Sequence, residues 1–202
     1  MIFEACTGCY EEARIAKEKG ADRIELCDNL KDGGTTPSYG TIKKSVEDVG
    51  LPINVIIRPR GGDFIYKDYE KEIMCTDIEI CKELGVNAIV IGALTKDNTI
   101  DIDFIEKVKG LSGDLKITFH MAFDEIEDKK AAIDELVTLG IDRILTKGGE
   151  ISALNNLDTL KELVQYAGDR IIIIPGAGIT KENRDKVISI TNAKEIHGTK
   201  IV

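Results

Sequence analysis

The residues of this sequence that are best suited to chemistry are its thiols and imidazoles. Five cysteines and two histidines occur among 202 residues, and the stretch Cys6-Thr7-Gly8-Cys9 holds two thiols three positions apart. A C-x-x-C pair serves as a redox dithiol or as half of a metal site. It also arises where two small residues are simply buried near each other. Spacing alone does not choose among these, so the elements that carry the pair must be identified first.

The composition limits the class of protein. Hydrophobic residues make up 43% and charged residues 31% of the chain, which is typical of a globular protein. The net charge of -9 repels a phosphate backbone, so we expect no nucleic-acid partner. The longest apolar runs, 87–94 and 171–174, are far shorter than the ~20 residues of a membrane span, and no signal peptide is recognised. We therefore expect a cytoplasmic protein with reduced thiols and no membrane partner.

A repeated pattern organises the chain. In the segments 20–26, 85–91, 140–146 and 168–174, a glycine that ends a helix is followed by a short polar turn and an apolar strand. The pattern predicts strands at 2–6, 22–27, 53–58, 87–92, 115–120, 142–147, 170–175 and 194–198, with seven helices between them.

Eight apolar strands alternating with helices predict an α/β fold of the (β/α)8 TIM-barrel type, with residues 1–202 as one domain. The open doubly wound sheet is the alternative, but the first strand-to-helix turn lacks the glycine fingerprint of a dinucleotide site. The sequence stops at Val202, directly after the eighth strand, so we expect the eighth helix to be missing or reduced.

Strand alternation predicts which side chains face the barrel interior. Apolar residues such as Ile24 and Leu26 face the helices, which turns the intervening residues inward. The predicted mouth of the barrel, at the carboxyl ends of the strands, holds Glu4, Cys6, Glu25, Cys27, Arg58, His120, Lys147, Glu195 and His197. Barrel interiors are normally filled with branched apolar residues, so this many ionisable groups indicates either function or internal ion pairs.

One interpretation of the mouth is an active site. Glu25, Arg58, His120, Glu195 and His197 are the candidate catalytic residues, for acid–base work on a small anionic or sugar-like substrate. The loops after the last strands add a candidate anion site, formed by Gly148, Gly149, Gly176, Gly178, Gly198 and Thr199. As ordinary turn residues these glycines need no ligand.

Several long motifs resemble one known family. The segments 25–27, 33–40, 57–64, 92–95, 118–124, 143–149, 175–178 and 195–197 are similar, in order, to the CutC copper homeostasis family. The resemblance implies a TIM barrel, a cytoplasmic location and Cu(I) as the bound ion, held by Cys6 and Cys27. Neighbouring strands lie ~4.8 Å apart, so two thiols at their ends can share one ion, and thiolates are the ligands that Cu(I) prefers.

These observations bear on the C-x-x-C pair. We expect Cys9 to begin the first helix and to point away from the strand ends. Cys27 is therefore the expected partner of Cys6. Cys9 remains an alternative third ligand of the metal ion. A thioredoxin-like role is disfavoured because that motif belongs to a different fold. Three hypotheses follow: copper binding, an enzyme acting on a small molecule, or a barrel that serves only as a scaffold. The sequence is compatible with a homo-oligomer.

Overall fold

Eight short strands alternate with seven α-helices along the chain. The computed structural model describes residues 1–202. The elements are β1 (Ile2–Thr7), α1 (Tyr10–Glu18), β2 (Arg23–Leu26), α2 (Tyr39–Asp48), β3 (Ile53–Ile56), α3 (Asp68–Glu83), β4 (Ala88–Ile91), α4 (Ile102–Ser112), β5 (Lys116–Phe119), α5 (Lys129–Thr138), β6 (Arg143–Thr146), α6 (Leu157–Ala167), β7 (Ile172–Pro175), α7 (Arg184–Thr191) and β8 (Glu195–Gly198). Single 3₁₀ turns occur at Leu30–Asp32, Met121–Glu125 and Ala153–Asn155.

The strands form one parallel sheet that is nearly closed into a barrel. Their order is β7-β6-β5-β4-β3-β2-β1-β8, so β7 and β8 are the two ends, and these ends lie in contact. Beyond them Thr180 and Lys200 form an isolated parallel bridge, and the N–H of Lys181 donates to the carbonyl of Lys200 at 2.8 Å. Residues 199–202 form no helix. The prediction of a TIM barrel with no full eighth helix is confirmed.

The glycine repeat ends helices as its pattern predicts. Gly20, Gly85 and Gly140 follow the last residues of α1, α3 and α5 at φ between 72° and 95°, a left-handed conformation that glycine adopts without steric cost. Side-chain caps start other helices: Ser38 accepts from the N–H of Thr41 at the start of α2. These turns let each helix reverse onto the outer face of the sheet.

The apolar core lies between the sheet and the helices. The outward side chains of the strands, including Ile24, Leu26, Ile117 and Phe119, are fully buried there. Cys81 on α3 is buried in the same layer and Cys75 is half-buried, so these two thiols lie in the helix layer and not at the barrel mouth. No helix is both long and apolar enough to cross a membrane.

Candidate functional site

The register of β1 and β2 brings two thiols together. Cys6 is opposite Glu25, and Cys27, two residues further along the same face, directly follows β2. The two Sγ atoms are 3.9 Å apart, well beyond the ~2.05 Å of a disulfide bond. Cys9 is exposed and precedes α1, outside this pair. The C-x-x-C spacing therefore does not bring its two thiols together at one site, whereas Cys6 and Cys27 form a close pair.

The two thiols have different proton affinities. A hydrogen bond from Cys27 lowers the pKa of Cys6 to about 5, against the opposing effect of burial, and His197 lowers this pKa further. The same hydrogen bond and burial hold the pKa of Cys27 well above its usual value. The two thiols therefore titrate as a coupled pair that shares one hydrogen bond, and this hydrogen bond favours a thiolate on one of the two sulfurs.

His197 connects the thiols to two carboxylates. Its Nδ1 lies 2.9 Å from Glu4 and its Nε2 lies 3.3 Å from Glu25. Burial would lower the pKa of His197, but Glu25, Cys6 and Glu4 together raise it well above its usual value. Burial dominates for Glu25 and raises its pKa, whereas the pKa of Glu4 falls to about 2 because His197 and Arg23 outweigh burial. We call Cys6, Glu25, Cys27 and His197 the thiol cluster.

An ion-pair network lies beneath the thiol cluster. Arg23 donates to Glu4 at 2.6 Å and forms a second ion pair with Glu195, and Arg143 lies 3.2 Å from Glu195. Asn54 donates to Glu4 at 2.8 Å. Each of these carboxylates is buried and paired, which is the condition under which buried charge is tolerated.

The position of Glu195 differs from the mouth prediction. Glu195 begins β8 opposite Ile2, two residues before His197, and it does not line the cavity at the mouth. The alternation of side chains along β8 correctly predicted that Glu195 points into the barrel. It did not predict how far along the barrel axis this residue lies. Its contacts are those of an internal ion pair, the alternative considered for the inward charges.

A cavity of about 460 Å³ opens at the carboxyl ends of the strands. Its walls combine titratable groups with apolar side chains. They are formed by Cys6, Glu25, Cys27, Leu30, Gly33, Ile56, Arg58, Phe64, His120, Met121, Leu145, Ala177, Gly178, His197, Gly198 and Thr199. Glu4 and Lys147, which were also predicted at the mouth, are not among them. The mouth of the barrel is thus a real pocket with the thiol cluster in its wall.

His120 is held as a neutral donor in this wall. Its Nδ1 accepts the N–H of Ala122 at 3.1 Å, so the ring proton is on Nε2, which is buried without a partner. Burial, with a contribution from Arg58, lowers the pKa of His120 to about 3. Gly92 leaves room for the ring, since a Cβ there would lie 2.5 Å from Nδ1.

Arg58 organises two loops around the cavity. Its Nη1 donates to the carbonyls of Asp32 at 2.8 Å and Gly34 at 2.9 Å, and its Nη2 donates to the carbonyl of Gly62 at 2.7 Å. These contacts tie the loop after β2 to the loop after β3. The guanidinium also interacts with the hydroxyl of Tyr66, and its Nε forms no hydrogen bond of good geometry. We call Arg58 and His120 the donor pair.

The predicted anion-site residues divide into two groups. Gly178, Gly198 and Thr199 line the cavity, whereas Gly148, Gly149 and Gly176 do not. The N–H of Gly148 donates to the hydroxyl of Thr146, and the N–H of Gly176 donates to the carbonyl of the same residue, both at 2.9 Å. A Cβ on Gly149 would meet the side chain of Asn156 at 3.0 Å. The structure therefore does not bring all six residues together into one cradle.

Sequence reasoning missed most of the apolar wall. Ile56 and Leu145 lie two residues beyond the inward Asn54 and Arg143, so alternation carried the signal for both. Leu30 lies in a 3₁₀ turn of the loop after β2, for which no periodic signal exists. The predicted mouth was consequently more polar than the observed cavity.

Comparison with known proteins identifies the family. Residues 1–202 match the model of the CutC family. A CutC family protein of Enterococcus faecalis is 48% identical over the full length of both chains, and the human copper homeostasis protein cutC homolog is 43% identical over 98% of this chain and 72% of that one. A solved CutC structure from Streptococcus agalactiae is 42% identical and matches with a TM-score of 0.96 over the whole of both chains. The resemblance seen in the motifs is confirmed, and the chain belongs to the CutC family.

Proposed function

We propose that this protein handles copper in the cytoplasm and holds one Cu(I) ion between Cys6 and Cys27. The observation that carries the proposal is the 3.9 Å separation of two sulfurs in the wall of an open cavity. Metal–thiolate bonds are about 2.3 Å long for zinc, so two bonds of that order can span this separation. Relatives that share the fold are named for copper homeostasis, which supports copper as the ion.

The donor chemistry of the thiol cluster suits this ion. Thiolates are soft ligands that select Cu(I), and hydrogen bonds from Cys27 and His197 lower the pKa of Cys6 to about 5 against the opposing effect of burial. The ion would replace the proton that lies between the two sulfurs. All five cysteines are free thiols, which fits a reducing compartment.

Glu25 is a further possible ligand close to the two sulfurs. One oxygen of Glu25 and the two sulfurs all lie within 4.8 Å of one another. Carboxylates suit hard or borderline divalent ions and not Cu(I). We expect Cu(I) to bind the two sulfurs alone, while Glu25 stays paired with Nε2 of His197.

An anaerobic Cu(I) titration against a competing chelator tests the proposal. We expect the wild type to bind one ion, and Cys6→Ser and Cys27→Ser each to lose this binding, because one thiolate cannot replace the pair. Cys9→Ser is the matched control and should bind as the wild type, since Cys9 is exposed outside the cavity. Binding that is indifferent to Cys6 and Cys27 would refute the copper site.

A second candidate, an enzyme acting on a small molecule, is favoured by the size of the cavity. A volume of about 460 Å³ exceeds what a single ion needs, and the donor pair lies in its wall. Titratable groups in a concave pocket are the general signature of an active site.

His120→Asn should leave Cu(I) affinity unchanged, because His120 is not a member of the thiol cluster. A large loss of Cu(I) affinity in this variant would contradict the assignment of the ion to the two thiols.

A further inference from the structure

The thiol cluster contains a third anionic ligand beside its two sulfurs. One oxygen of Glu25 and the Sγ atoms of Cys6 and Cys27 all lie within 4.8 Å of one another. All three residues line the cavity, and Cys6 is only half-buried, so an ion in the cavity has access to this group. Cu(I) bound by the two sulfurs leaves the carboxylate without a metal to bind. The set of two soft ligands and one harder ligand therefore fits a second kind of ion.

The spacing of the two sulfurs matches a tetrahedral ion. Zinc–thiolate bonds are about 2.3 Å long, and two such bonds at the tetrahedral angle place their sulfurs about 3.8 Å apart. The Sγ atoms of Cys6 and Cys27 are 3.9 Å apart. A zinc–carboxylate bond of about 2.1 Å requires the oxygen of Glu25 to lie about 3.6 Å from each sulfur, so this oxygen has to move inward by at most about 1.2 Å. The three ligands are nearly in place before an ion binds.

His197 positions the carboxylate of this group. Its Nε2 lies 3.3 Å from Glu25, and its Nδ1 lies 2.9 Å from Glu4. A histidine or carboxylate that pairs with a metal ligand orients this ligand and strengthens metal binding. Because both ring nitrogens lie against carboxylates, His197 is a positioning residue for Glu25 and not a further ligand.

A divalent ion suits the charge of the three ligands. Two thiolates and one carboxylate carry three negative charges when they are deprotonated, and Glu25 and Cys27 are buried. A divalent ion offsets more of this buried charge than a monovalent ion does. Mg²⁺ and Ca²⁺ prefer oxygen ligands, whereas zinc binds sulfur and carboxylate oxygen together in tetrahedral sites. Zinc is therefore the divalent ion that this group fits best.

We infer that the thiol cluster also binds one Zn²⁺ ion through Cys6, Cys27 and Glu25, with a water molecule from the cavity as the fourth ligand. Three protein ligands and one water are the arrangement of catalytic zinc sites. The inference rests on the same two thiols as the proposed copper site, and Glu25 is the ligand that distinguishes the two ions.

An anaerobic Zn²⁺ titration against a chromophoric chelator tests the inference. We expect the wild type to bind one ion and Glu25→Gln to bind it at least about tenfold more weakly, because even residues outside the ligand set contribute about 10–100-fold. Glu150→Gln makes the same change on an exposed carboxylate outside the cavity wall and should bind as the wild type. Excess Mg²⁺ should not displace the zinc. Circular dichroism and a urea transition establish that Glu25→Gln is folded.

The Cu(I) titration of the same variants separates this inference from the copper proposal. Glu25→Gln should keep the Cu(I) affinity of the wild type, since Cu(I) uses the sulfurs alone. Cu(I) binding by a wild type that binds no Zn²⁺ at about 1 μM free ion, well above the Kd of structural zinc sites, would overturn the zinc site and leave the copper site standing. Zn²⁺ binding without Cu(I) binding would support the zinc site and refute the copper site.

Cobalt(II) in place of zinc reports the ligands of the wild-type protein directly. A tetrahedral site with two thiolates should give intense visible bands and a sulfur-to-cobalt charge-transfer band. Cys6→Ser and Cys27→Ser should each weaken the charge-transfer band, whereas Cys9→Ser should leave it unchanged, since Cys9 lies outside the cavity wall. The weak spectrum of six-coordinate cobalt in the wild type, or equal Zn²⁺ affinity of the wild type and a folded Glu25→Gln, would overturn the inference.

Discussion

The two polar regions of the cavity wall, the thiol cluster and the donor pair, differ in how many of their polar groups have a partner. The thiol cluster is linked through His197 and Glu4 to the ion pairs of Arg23, so nearly every charge in it has a partner of opposite sign. His120 and Arg58 are both hydrogen-bonded to backbone groups, but one nitrogen of each side chain has no hydrogen-bond partner. A cluster with matched charges suits an ion that replaces a proton, whereas Arg58 in the donor pair holds two loops in place through backbone carbonyls.

The buried network under the thiol cluster should produce the largest effect when it is broken. Arg23→Met leaves two buried carboxylates, Glu4 and Glu195, without their shared partner, and removal of one side of a buried ion pair costs about 3–5 kcal/mol. The free energy of unfolding from a urea transition measures the loss. Arg14→Met is the control: its pairs with Glu11 and Glu18 are exposed, and the expected cost is under about 1 kcal/mol. Equal costs for the two variants would contradict the role of the network.

Gly92→Ala should disturb the donor pair and spare the thiol cluster. The added Cβ would lie 2.5 Å from His120 Nδ1, and relief of such overpacking costs about 1–3 kcal/mol. Cu(I) stoichiometry should stay at the wild-type value. Gly110→Ala in α4 is the matched control, because a Cβ there meets nothing within 4 Å and alanine stabilises a helix interior by about 0.5–1 kcal/mol. Loss of Cu(I) binding in Gly92→Ala would show that the two regions are not independent.

His120 should make the protein less stable as pH falls. Its pKa is about 3 in the folded protein and about 6.5 when unfolded, so below pH 6.5 the unfolded chain binds a proton that the folded protein does not. Between pH 6.5 and 3, His120 alone should lower the free energy of unfolding by about 1.4 kcal/mol for each pH unit, relative to a variant that cannot titrate at this position. Urea unfolding of wild type and His120→Asn at pH 7.5 and 5.5 measures this difference. Parallel pH dependences of the two proteins would contradict a neutral, buried His120.

Some of this arrangement could be predicted from the sequence. The glycine repeat predicted the alternation of strands and helices, and side-chain alternation turned Cys6, Cys27 and His197 into the barrel, because both are local properties of the chain. The height of Glu195 was not predicted, because height depends on the register between β8 and β1, which long-range hydrogen bonds set.

The loops were the least predictable part of the site. The internal hydrogen bonds of Gly148 and Gly176 and the contribution of Leu30 to the wall depend on how loops fold over one another. The unpaired nitrogens of Arg58 and His120 likewise follow from contacts that are distant in sequence. Only the assembled barrel shows that the mouth contains two different polar regions.

X-ray absorption at the copper edge, measured on the anaerobic protein loaded with one equivalent of Cu(I), tests the two-thiolate site most directly. We expect two sulfur ligands and no nitrogen or oxygen ligand, since Cys6 and Cys27 are the only thiols in the cavity wall and both ring nitrogens of His197 lie against carboxylates. The Cys9→Ser spectrum should match that of the wild type. Three or more sulfur ligands, a nitrogen or oxygen ligand, or an unchanged spectrum in Cys27→Ser would contradict a two-thiolate copper site at the mouth of the barrel.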